Sequence, residues 1–97
     1  MDEQERKFRL ELFRTEHESA SKRLAELNAA KLEMADRLAD HLAKLSTLPL
    51  AEIETWAAKH RLLEDAIAVL NEIGNPAAAR EREAESNWQL AQRNYGA

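Results

Sequence analysis

The longest stretch without a helix-breaking residue governs what this chain can become: its first proline is Pro49 and its first glycine is Gly74. Between Asp2 and Leu48 the chain is built largely from Ala, Leu, Glu, Arg and Lys. These residues lose little rotamer freedom in a helix and bury no polar group by forming one. One helix over that stretch would be roughly 65–70 Å long. A compact domain of this size has a radius of gyration of only about 13 Å. Such a helix must project, pair along its length or meet a partner.

The few breakers fall at two places. At Ser46-Thr47-Leu48-Pro49, the proline disfavours helical geometry at Leu48 and itself suits the first turn of a new helix. At Gly74-Asn75-Pro76 a glycine C-cap, an asparagine N-cap and a proline in first helical position stand in order. The expectation is three helices, about 3–46, 49–73 and 76–94, in a single domain over 1–97. The fold class is all-α: a long N-terminal helix in an antiparallel hairpin with a second helix, plus a shorter third, as a coiled-coil-like bundle. No β-branched alternation or hairpin turn motif argues for strands.

The first helix carries a heptad seam of Leu10, Phe13, His17, Ala20, Leu24, Leu27, Lys31, Met34, Leu38, His41, Leu45 and Leu48. Beyond Met34 the stripe widens to include Ala35 and Leu42, so the C-terminal half is expected to be more deeply buried. The weak segment is 14–23, which offers only Ala20 to a core. The second helix has a seam of Leu50, Ile53, Trp56, His60, Leu63, Ile67 and Leu70, then a second face of Leu62, Ala66, Val69 and Ile73. So wide an apolar arc is expected to touch more than one neighbour. The third has a thinner stripe of Ala77, Ala84, Trp88, Ala91 and Tyr95, with Glu81 intruding.

The short link makes the first two helices antiparallel, so facing residues have numbers that sum to about 96. This places Trp56 near His41, His60 near Asp36, and Lys31 near Glu64 and Asp65. The first twenty or so residues then overhang the hairpin. Folding back at Gly74 is the expected course of the third helix. The alternative is a mere kink, with the helix running along the overhang and carrying Trp88 and Tyr95 towards Phe13 and Phe8. With the helix folded back, the overhang and the spare face of helix 2 find burial most simply in a second copy, so a homodimer is expected.

Chemistry-bearing residues are sparse. The chain has no cysteine, which removes thiolate nucleophiles and thiolate metal sites and fits a cytoplasmic protein. With two glycines there is no phosphate-binding loop, and the serines lie in no nucleophile turn. No catalytic residue, metal site or cofactor is expected, and the protein reads as a non-enzyme. In particular, no Glu-x-x-His pair is present: Arg14, Leu38 and Ala57 stand three before His17, His41 and His60. Lys31, His41, His60 and Glu64 read as buried polar residues that set register. Phe8, Leu12, Phe13, Trp88 and Tyr95 are the candidate partner-binding residues. Of these, Phe8 and Leu12 lie off the seam and are expected to be covered rather than exposed.

A net charge of −4 argues against a general nucleic-acid binder, and the basic residues near the N-terminus are interleaved with acids. No apolar run is long enough for a membrane span, and residues 2–7 are too polar for a secretory signal. The functional expectation is a protein–protein interaction module that binds a larger complex through helix faces. An adaptor, a chaperone or a phage-type inhibitor such as an anti-CRISPR-like protein would fit. The Ala-, Leu- and Arg-rich composition suits a bacterial or phage gene. The alternatives are a nucleic-acid-associated or DNA-mimicking protein, and a scaffolding oligomer.

Overall fold

The structure is a computed structural model that describes residues 2–96. It contains two long helices, α1 (Glu3–Ala43) and α2 (Ile53–Tyr95), which pack against each other as a hairpin. Asp2 caps α1, its Oδ1 accepting the Glu5 amide at 2.7 Å, and Glu3 and Glu5 complement the helix dipole in the first turn. At the other end α1 tightens into a 3-10 turn, Lys44–Thr47, and a second such turn, Leu50–Glu52, leads into α2. Leu48 between them is extended, with ψ at 120°, as the residue before Pro49 must be.

The expected break at Gly74-Asn75-Pro76 does not occur, and there is no third helix among the described residues: α2 runs through Pro76. No described residue has positive φ, so Gly74 is not the left-handed cap that the local pattern suggests. The physical reason lies in the phase of the seam. Trp56, His60, Leu63, Ile67, Leu70, Gly74, Ala77, Glu81, Ala84, Trp88, Ala91 and Tyr95 succeed one another at alternating steps of four and three, and every one is buried or half-buried. An unbroken helix keeps all of them on one line. An internal proline costs about 3 kcal/mol. Each large side chain taken from water contributes roughly 1.5–3 kcal/mol, and Trp88, Tyr95, Leu10 and Phe13 all gain cover from pairing the outer halves. Burial therefore outweighs the local stop signal.

Contacts cluster into two compact units, Leu27–Gly74 and Met1–Glu26 with Asn75–Ala97. In the first, Leu27, Leu63 and His41 are buried, with Met34, Leu38, Ile67 and Leu70 half-buried around them. In the second the fully buried positions are alanines, Ala20, Ala84 and Ala91, which let two helix backbones approach closely. Leu10, Phe13, Leu24 and Trp88 flank them, half-buried. The second apolar face of α2 is left largely uncovered, contrary to expectation: with no third helix folding back, Leu62 stays 69% and Val69 52% exposed, and only Ala66 of the row is half-buried.

Candidate functional site

The Leu27–Gly74 unit holds a stacked aromatic cluster where α1 ends and α2 begins. His41 and Trp56 do face each other, with ring centroids 4.3 Å apart and planes 11° from parallel. The pair is tied twice: Trp56 Nε1–H donates to the His41 carbonyl at 2.9 Å, and His41 Nε2–H donates to the Trp56 carbonyl at 3.0 Å. The first bond satisfies one of the carbonyls that α1 leaves without a helical partner at its C-terminus. The second places the His41 proton on Nε2, because a carbonyl can only accept. His60 extends the stack, 5.0 Å from Trp56, and binds Glu64 through Nε2 at 2.8 Å. His60 therefore turns along its own helix, and no salt bridge joins it to Asp36 among the described residues. Its Nδ1 is buried without a partner among the described residues.

Lys31 is displaced from its expected position. No salt bridge joins it to Glu64 or Asp65 among the described residues. Its side chain instead lies over the bare Cα of Gly74, the ammonium in close contact with the space a Cβ would take and Cε 2.9 Å from it. The lysine thus fills a glycine notch on the facing helix, a use of Gly74 unrelated to helix capping.

In the unit that joins the two chain ends, Tyr95 receives a hydrogen bond from Arg9 Nη1 at 3.2 Å, and the guanidinium sits over its ring. Tyr95 first, and Glu5 to a lesser degree, raise the Arg9 pKa above its ordinary value. Phe13, Trp88 and Tyr95 are half-buried at seam positions. Phe8 and Leu12 are uncovered instead, at 68% and 45% exposure. They stand one helical turn apart on the outside of the seam, and α2 reaches only one side of α1.

Two features went unforeseen. One is a polar inclusion in the outer unit: His17 of α1 lies 3.5 Å from Glu81 of α2, with Ser21 donating a long bond to the same carboxylate and Glu85 one turn away. The facing-sum rule, carried past residue 73, would have put Glu81 opposite residues 15–17. The other is the extent of a second apolar row on α1, Leu32, Ala35, Ala39 and Leu42 at steps of three, four and three: Ala35 and Leu42, expected to be buried where the stripe widens, are exposed with the rest, because α2 covers only the seam side of α1. It mirrors the row Leu62, Ala66, Val69 and Ile73 of α2. A shallow cleft is lined by Arg37 and Asp40 of α1, Lys44 of the 3-10 turn and Lys59 of α2; by helical phase the α2 row opens onto this flank. The α1 row occupies the opposite flank.

Among the described residues no helix is long and apolar enough to cross a membrane. No protein-family model matches the chain, and no curated protein or solved structure matches it either.

Proposed function

We propose that this protein is a non-enzymatic interaction module that works through helix faces, with a second copy of itself as its first partner. The observation that carries the reading is the pair of apolar rows in the Leu27–Gly74 unit, exposed at every position but Ala66. Their spacing is palindromic, so a two-fold axis brings Leu62 against Ile73 and Ala66 against Val69, as an isologous interface requires. The α1 row is palindromic in residue type as well, Leu-Ala-Ala-Leu.

One row closes the dimer, and the other remains for a larger protein complex, which suits an adaptor, assembly chaperone or inhibitor. If both rows pair with copies, the product is an open chain, the scaffolding reading.

Sedimentation equilibrium tests this. The expected result is a dimer that Leu62→Ser with Val69→Ser converts to monomer without loss of helicity, since both side chains are exposed. A wild-type monomer up to about 100 μM would overturn it.

A further inference from the structure

The outer unit carries a donor set that suits a metal ion. His17 of α1 and Glu81 and Glu85 of α2 bring one imidazole nitrogen and two carboxylate oxygens within 4.8 Å of one another. Glu81 is the seat of the argument. It occupies a seam position between Ala77 and Ala84 with a side chain only 19% exposed, where an acid needs compensation. Its sole salt-bridge partner among the described residues is His17, at 3.5 Å. No lysine or arginine pairs with it among those residues, although the chain has 14 of them. Ser21 adds a hydrogen bond to the same carboxylate, holding it towards α1. Glu85 stands one turn further along α2, exposed and free to rotate.

We propose that His17, Glu81 and Glu85 form a site for a borderline divalent cation of the zinc, cobalt or nickel type, which clips α1 to α2 in the outer unit. One imidazole with two carboxylates suits these ions, whereas calcium and magnesium call for more oxygen donors. Tetrahedral zinc at 2.0–2.1 Å wants its donors about 3.3 Å apart. Rotation of the Glu85 side chain closes the present spread, and water completes the coordination. The ion takes over the compensation of Glu81, and because its ligands come from both helices it stabilises their pairing.

The test is isothermal titration of untagged protein with zinc chloride, together with melting curves followed by circular dichroism. One zinc per chain and a melting temperature that rises with zinc and falls back with EDTA are expected. Glu85→Gln lies outside the His17–Glu81 pair and leaves the apo melting temperature unchanged, yet weakens zinc at least about tenfold. His17→Ala, which also takes the partner from Glu81 and so lowers the apo melting temperature, weakens zinc by at least as much. If no zinc binds, His17 and Glu81 form a polar contact only and the proposal fails. It fails equally if both variants keep wild-type affinity, for then the zinc sits on other groups, His60 and Glu64 among them.

Discussion

Replacing Pro76 separates the continuous α2 from the broken helix that the local residues suggest. In a continuous helix Pro76 lacks the N–H that would bond the Glu72 carbonyl, and its ring crowds that carbonyl, at a cost of about 3 kcal/mol. Pro76 is exposed, so alanine forfeits no packing. The looser unfolded chain of the alanine variant returns roughly 0.4–1 kcal/mol of the gain. Pro76→Ala should therefore stabilise by about 2–2.5 kcal/mol, which for a domain near this size raises the melting temperature by roughly 10–15 °C. Asn75→Ala is the companion: a helix-interior Asn gains up to about 0.6 kcal/mol on becoming alanine, whereas an N-cap loses about 1 kcal/mol. Urea denaturation followed at 222 nm measures both. Two positive shifts are expected. A neutral or destabilising Pro76→Ala together with a destabilising Asn75→Ala would mean that a helix begins at Pro76, and would refute the continuous seam.

Three further outcomes follow from contacts already described. Gly74→Ala should be close to neutral in the wild type, because its Cβ must displace Lys31, and stabilising by about 1 kcal/mol in a Lys31→Ala background; equal effects in both would dissolve the notch. Trp56→Phe keeps a ring to stack on His41 but leaves the His41 carbonyl without its indole donor, so urea denaturation should show a loss of about 1–2 kcal/mol. Phe8→Ala should alter stability by less than about 0.5 kcal/mol, as an exposed site does, whereas a covered Phe8 would cost about 3–5 kcal/mol.

Much of this arrangement is legible in the residues. The α1 seam from Leu10 to His41, the turn at Pro49 and the facing of His41 and Trp56 all follow from heptad spacing and a short antiparallel link. Leu45, Leu50 and Ile53, expected on the seams, are exposed instead, because 3-10 turns at Lys44–Thr47 and Leu50–Glu52 break the heptad phase beside the link. The misreading at Gly74 shows how local and long-range terms compete. Gly-Asn-Pro is a complete stop-and-restart signal when each residue is weighed by its own preference. Yet Leu70, Gly74 and Ala77 hold the same phase on either side of it, and that phase is the stronger evidence. The partner of Lys31 was illegible for a different reason: a long side chain searches several residues along the facing helix, and a glycine offers room that charge matching does not anticipate. The His17, Glu81 and Glu85 grouping was hidden because its donors lie on both helices. A search for ligand spacing within one helix misses it.

The hairpin also dictates an order of assembly. Its tertiary hydrogen bonds join residues 15 apart at His41 and Trp56, 60 apart at Ser21 and Glu81, and 86 apart at Arg9 and Tyr95. Closing the outer contacts first would cost the entropy of a long loop, while closing them after the inner ones adds only a few residues of new loop at each step. Folding accordingly starts at the turn around Pro49 and travels outward, with the Arg9–Tyr95 bond formed last. Amide exchange should run the opposite way, fastest at the open end and slowest beside His41. Pro76 stands a little beyond the midpoint of that path, where one helical hydrogen bond is missing from the advancing front.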